Sequence, residues 1–133
     1  MNGDIKVHHI AIAVDDIDQS LTFWRDALGL TLGGVDDVPE QKAKVAFLEA
    51  GAAHVELVEP TADDTGVARF LEQRGGGIHH LCLEVDDIDA ALASLKAKGV
   101  RLINEQPLTR ENGRRYAFIH PKSTGGVLLE LYE

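Results

Sequence analysis

The chain has 133 residues, 44% of them hydrophobic, which suits one domain with a proper core. Its formal net charge of −9 argues against nucleic acid or an anionic membrane as a general partner. The N-terminus lacks a signal peptide's layout and no apolar run approaches a membrane span, while the single cysteine, Cys82, excludes an intrachain disulfide and points to a reducing cytoplasm.

The first element is an alternating run from Val7 to Val14 that reads as a half-buried strand. His8, Ile10, Ile12 and Val14 share a greasy face that should pack against a helix, whereas His9, Ala11 and Ala13 share a face of small side chains. Asp15 or Asp16 then caps a helix whose stripe is Ile17, Leu21, Trp24 and Leu28, with Gly29 as its stop. Strand material follows at 30–32, 44–48 and 54–58, and the 33–39 stretch reads as an ordinary connection. The 65–74 stretch predicts a short helix with Val67, Phe70 and Leu71 facing inward.

After Gly75-Gly76-Gly77 the chain repeats itself. Val7-His8-His9-Ile10 returns as Ile78-His79-His80-Leu81, and Val14-Asp15-Asp16-Ile17-Asp18 returns as Val85-Asp86-Asp87-Ile88-Asp89, an offset of 80 − 9 = 71 residues. His80 therefore takes the place of His9, on a face with Ile78, Cys82 and Glu84, and Cys82 reads as small packing. Asp86 or Asp87 caps a second helix through Ile88, Leu92 and Leu95, ended by Gly99. Strands are expected at 101–103, 115–120 and 127–132, with a connection over 104–113. Each unit thus reads β-α-β-β-β, the first over about 5–60 and the second over about 77–133, within a single domain spanning 1–133.

The last strand of each unit also repeats, Val55-Glu56-Leu57 matching Leu129-Glu130-Leu131. Glu56 and Glu130 point away from the apolar faces of their strands, as His9 and His80 do. Two histidines and two glutamates form a nitrogen and oxygen set suited to a divalent metal, with zinc, cobalt, nickel or iron favoured by the imidazoles and manganese or magnesium allowed by the carboxylates. Between Lys96 and Lys122 seven basic residues face two acidic ones, 7 − 2 = +5 on an otherwise acidic chain. That segment is either a solvated surface or a landing site for a polyanion. Ser123-Thr124-Gly125-Gly126 is either a tight turn or a cradle of backbone N–H groups for a carboxylate.

The paired units, with His and Glu on first and last strands, resemble the vicinal oxygen chelate superfamily. Within it the chain is similar to the methylmalonyl-CoA epimerases over nearly its whole length. The likeness rests on His9-Ile10-Ala11-Ile12-Ala13-Val14, on Val55-Glu56-Leu57-Val58-Glu59-Pro60, on the stretch from Gly75 through Ile88, and on His120-Pro121-Lys122-Ser123-Thr124-Gly125-Gly126-Val127-Leu128-Leu129-Glu130-Leu131. The resemblance implies an α+β fold in which the two units form one open, barrel-like mixed sheet around a metal site, with the helices outside. It implies His9, Glu56, His80 and Glu130 as ligands of one divalent ion per chain (cobalt, zinc, nickel or manganese, with cobalt favoured). Glu130 would double as the catalytic base, Lys122, Ser123 and Arg114 would meet an acyl-CoA substrate, and the protein would be a cytoplasmic homodimer. A member of the family carries a second acid/base glutamate on its third strand, where aligning Glu40-Gln41 places Val45. His120 and Lys44 are then candidates for the partner proton carrier, beside water. The alternatives are a glyoxalase I-like lactoylglutathione lyase, which shares the ligand set, and a non-catalytic small-molecule-binding protein of the same fold.

Overall fold

Residues 4–133 are described by a computed structural model. It contains eight strands and three helices in the order β1 (Lys6–Ala13), α1 (Ile17–Leu21), β2 (Thr31–Val38), β3 (Ala43–Ala50), β4 (Ala53–Pro60), α2 (Gly66–Arg74), β5 (Gly77–Glu84), α3 (Ile88–Ala97), β6 (Leu108–Thr109), β7 (Arg115–Ile119) and β8 (Leu129–Tyr132). No helix among the described residues is long and apolar enough to cross a membrane. The chain divides into two compact units, one of His9–His79 and one of His80–Glu133 with the residues up to His8.

In the first unit β1 runs parallel to β4, and β3 joins β4 to β2 through antiparallel ladders. Parity places two kinds of surface on these strands. Ile12, Ala46, Leu48, Val55 and Leu57 pack with Ile17 and Leu21 of α1 and with Trp24. On the opposite face Ala11, Ala43, Val45 and Val58 form a smaller buried cluster, with Phe47 and with Val67 of α2 against it. The helix face is thus the greasy one, as alternation required.

The second unit has the same plan. Here β5 is parallel to β8, and β7 joins β8 to the short edge strand β6. Ile88, Ala91 and Leu92 of α3 close over Ala117, Ile119 and Leu131, with Leu83 and Leu95 alongside. Both helices begin identically. Asp16 Oδ1 accepts the Gln19 N–H at 3.2 Å and Asp87 Oδ1 accepts the Ala90 N–H at 3.0 Å. A glutamate from the end of the unit's last strand satisfies another of the orphan donors. The Ile17 N–H donates to Glu59 Oε1 and the Ile88 N–H to Glu133 Oε1, each at 2.8 Å. Bonds from the Arg115 guanidinium, and then from the Ile88 N–H, hold the Glu133 carboxyl below its usual range. Stabilisation from that carboxylate is therefore complete above its unfolded-state value and fades as pH falls through the lower folded one.

Four boundaries differ from the sequence expectation. The first helix does not stay α-helical: Thr22–Ala27 winds as a π-helix, with the Leu28 N–H reaching Phe23 O at 2.8 Å. That wider winding carries Leu28 off the Ile17-Leu21-Trp24 stripe and leaves it 55% exposed. The 33–39 stretch is mostly strand, because Gly33-Gly34 makes a bulge in β2 where a turn was expected. The 101–103 stretch is not a ladder strand and contributes one bridge, Leu102 to Ile119. There the Asn104 side chain accepts the Phe118 N–H at 2.8 Å and takes the place of a backbone partner, so the edge strand forms later, at β6, inside the expected connection. Finally, β8 begins at Leu129, and Val127 lies outside it, 45% exposed. The 65–74 helix forms as expected, capped by Thr65 and ended by Gly75 in the left-handed conformation at φ 74°.

Candidate metal and proton-transfer site

Strand register brings a histidine and a glutamate together in each unit, in the same way. Ala11 lies directly opposite Glu56, and Cys82 directly opposite Glu130. Each histidine stands two residues before that small residue on the same face, so it is the diagonal neighbour of the glutamate. His9 Nδ1 lies 3.1 Å from Glu56 Oε2, and His80 Nε2 lies 3.1 Å from Glu130 Oε1. His9 is 6% and Glu130 1% exposed, so these are interior polar groups. In each unit one partner is buried (His9, Glu130) and the other partly so (Glu56, His80), and an imidazole beside a carboxylate is donor chemistry that fits a divalent cation.

The flanks of each glutamate explain why it can point inward. On one side stands a small residue, Ala11 or Cys82, both fully buried. On the other stands a phenylalanine, Phe47 opposite Glu56 and Phe118 opposite Glu130. The Phe118 ring meets the His80 imidazole edge to face, at 5.5 Å between centroids and 88°. These phenylalanines were missed from the sequence, although they obey the repeat, since 118 − 47 = 71. Cys82→Leu is expected to lose about 1–3 kcal/mol of stability through overpacking beside Glu130, read as a lower urea midpoint with unchanged m-value. Parent-like stability would mean the small residue is not needed there.

Sequence reasoning also missed a specific role for Arg110. Its guanidinium donates to Glu130 Oε2 at 2.7 Å and lies 3.8 Å above the Tyr116 ring. Only its membership of the basic segment was visible beforehand. Other basic side chains of that segment are engaged elsewhere. Arg115 bonds Asp89 and Glu133, each at 2.8 Å, and Lys96 pairs with Glu105 at 2.9 Å.

The proposed substrate contacts lie as follows. Lys122 is exposed on a 3-10 turn over Pro121–Ser123. The Ser123 hydroxyl accepts the Arg101 N–H at 2.9 Å. Arg114 stacks on Tyr132 at 4.3 Å, donates to the Glu133 carbonyl at 2.9 Å, and approaches Glu84 at 3.7 Å. Backbone N–H groups of the 123–126 turn point largely inward: Thr124 and Gly126 both donate to Pro121 O, at 3.1 and 2.9 Å, and Ser123 to His120 O at 3.0 Å. Thr124 Oγ1 closes the turn on Val127.

Among the candidates for a second proton carrier, Lys44 is exposed and pairs across the ladder with Asp37 and Glu59. His120 Nδ1 accepts the Lys122 N–H at 3.0 Å and so caps the 3-10 turn. Partial desolvation, then the charges of Arg101 and Lys122, lower its imidazole below the usual range and favour that accepting, neutral form. Val45 is 4% exposed within the Ala11, Ala43 and Val58 cluster and offers no proton at all.

Comparison with known proteins narrows the chemistry. The family model of the Glyoxalase/Bleomycin resistance protein/Dioxygenase superfamily matches residues 8–118. The mitochondrial methylmalonyl-CoA epimerase of Mus musculus is 38% identical over 95% of this chain and 71% of its own. The ethylmalonyl-CoA/methylmalonyl-CoA epimerase of Cereibacter sphaeroides is 37% identical over 95% of this chain and 96% of its own. A solved methylmalonyl-CoA epimerase in complex with methylmalonyl-CoA and NH4+ superposes with a TM-score of 0.87 at 34% identity, covering 96% of this chain and 92% of that one. The α+β architecture of paired β-α-β-β-β units is therefore shared with proteins of known fold, and the chain belongs to the methylmalonyl-CoA epimerase family of the glyoxalase and bleomycin resistance superfamily.

Proposed function

We propose that this chain epimerises methylmalonyl-CoA at C2, with the two repeat units acting as one domain. The observation that carries the reading is the buried Glu130 carboxylate, held beside His80 as Glu56 is held beside His9 in the other unit. His9, Glu56, His80 and Glu130 would hold one divalent cation, for which cobalt is favoured by the family resemblance over zinc, nickel or manganese. Such a cation supplies positive charge for the oxygen on which an enolate develops.

The protein's own groups do the rest. The C2 proton lies between a thioester and a carboxylate and is only weakly acidic, so it must be taken by a placed base. Glu130 accepts it. Inversion needs a proton returned to the opposite face of C2. In the first unit the strand position at which a relative carries a glutamate is the apolar Val45, so that second proton comes from a different group or from water. Lys122, Ser123 and Arg114 would meet the acyl-CoA, and the exposed Lys122 would meet its phosphates. The lone buried Cys82 and the family likeness support a cytoplasmic homodimer.

Incubation of methylmalonyl-CoA with the enzyme in deuterated water tests the reading. Deuterium should enter C2 at a catalysed rate while the hemithioacetal of methylglyoxal and glutathione is left unturned. Turnover of the hemithioacetal without C2 exchange would make the protein a lactoylglutathione lyase instead, and inertness toward both would leave it a binding protein.

A further inference from the structure

The two histidine and glutamate pairs are alike in register but not in support. By the 71-residue repeat, Arg110 corresponds to Pro39 and Tyr116 to Val45. Only the second unit can therefore place a cation against its glutamate from these positions. Arg110 is fixed at three levels. Its N–H donates to Arg114 O at 2.8 Å and its carbonyl accepts from Gly113 at 2.9 Å, which closes the β6–β7 turn. Its guanidinium lies on Tyr116, and its Nη2 reaches Glu130 Oε2 at 2.7 Å. The side chain is 19% exposed, far less than a solvated surface arginine. Glu130 thus has its two oxygens committed to different neighbours: Oε2 to Arg110, and Oε1 to the side of His80.

We propose that Arg110 is a positioning residue, which clamps Glu130 by Oε2 and so directs Oε1 to the metal. The inference rests on the metal reading above and adds to it a residue that touches neither substrate nor cation. A carboxylate with two rotatable bonds before its terminal group loses rotamer freedom when it binds an ion. Holding it beforehand removes that cost from the binding step. Because Arg110 holds Oε2, Oε1 would be left for the cation, and the arginine would not have to leave for the ion to bind. Hydrogen-bond partners of metal-binding carboxylates typically account for 10–100-fold in affinity.

Two physical effects of removing Arg110 have opposite signs, and this makes the role testable. Deleting a positive charge near a cation site should by Coulomb's law tighten binding. Losing the clamp should weaken it. The experiment measures Co(II) affinity by calorimetry and by the visible absorption of the bound ion, in the full-length parent and in R110M, R110K and R69A. Methionine keeps the packing on Tyr116 without a donor, lysine restores a single charged donor, and Arg69 is an exposed arginine that controls for net charge. Apo-protein melting temperatures establish that each variant folds, and R110L, which also lacks a donor, carries the comparison if R110M does not. The expected result is at least tenfold weaker Co(II) binding in R110M, an altered absorption spectrum, substantial recovery in R110K, and R69A within about twofold of the parent. Parent-like or tighter binding in R110M, or in R110L where R110M does not fold, overturns the clamp while leaving the metal reading intact. A parent that takes up no Co(II) overturns the metal reading itself, and this role with it.

Discussion

Glu130→Gln is expected to slow C2 deuterium exchange by about 10²-fold or more, the usual scale of general acid–base catalysis. The glutamine keeps an oxygen for a cation but cannot accept the proton. Two opposing effects act on the parent carboxylate: a bound cation stabilises its charged form and weakens it as a base, while the same cation acidifies the substrate. Glutamine removes the base and leaves the cation's effect on the substrate in place. The substitution also leaves the Arg110 guanidinium facing a neutral amide in a mostly buried place, so apo stability should fall. The comparison must therefore be made on folded protein at confirmed metal saturation, because loss of either would imitate loss of the base. A saturated, folded E130Q that exchanges at the parent rate would reduce Glu130 to a ligand.

Removing the cation with a chelator is expected to cost still more. A Lewis acid contributes several kcal/mol of charge stabilisation to such a reaction, so exchange should fall by roughly three orders of magnitude or more. Stability responds through mass action. An ion present at a hundred times its Kd adds about 2.7 kcal/mol, which for a domain of this size is on the order of 10 °C in Tm. Both activity and Tm should return when Co(II) is added back. Full exchange by metal-free protein would remove the cation from the mechanism, and an unchanged Tm on adding metal would remove it from the protein.

Much of this arrangement was legible before any coordinates, because the chain carries each instruction twice. Alternation in Val7–Val14 and in 78–85 assigned the helix-facing sides correctly, and the Asp-Asp-Ile-Asp repeats located both helix starts, at Asp16 and Asp87. The matching glutamates were found for the same reason. Further repeated signals were present but passed over: Phe47 with Phe118, and Glu-Leu-Val-Glu with Glu-Leu-Tyr-Glu, whose second glutamates cap the helices. What stayed hidden is what the repeat does not contain. Arg110 has no counterpart cation at the matching position of the first unit, Pro39, so nothing singled it out among the seven basic residues of its segment. Asn104 taking a ladder bond, the glycine bulge in β2 and the π-winding after Leu21 are each local departures from a regular element. Composition cannot distinguish them from a turn or a plain helix, because the competing conformations use the same residues.

The equal registers in the two units carry a consequence for how such a chain can diverge. From His9 to Glu56 is 47 residues and from His80 to Glu130 is 50, yet both glutamates meet their histidines at the same diagonal. The whole difference lies in one connection. Six residues, 49–54, join Leu48 to its partner Val55, whereas nine, 120–128, join Ile119 to Leu129. An insertion of one residue within a strand would turn the glutamate to the opposite face. The same insertion between strands changes only a loop, at a small entropic cost. After an ancestral duplication, length variation could thus accumulate at that connection and nowhere else along the glutamate strands. The 120–128 stretch, with its exposed Lys122, is where descendants of this gene can be lengthened, shortened or exchanged while His80 and Glu130 keep their alignment.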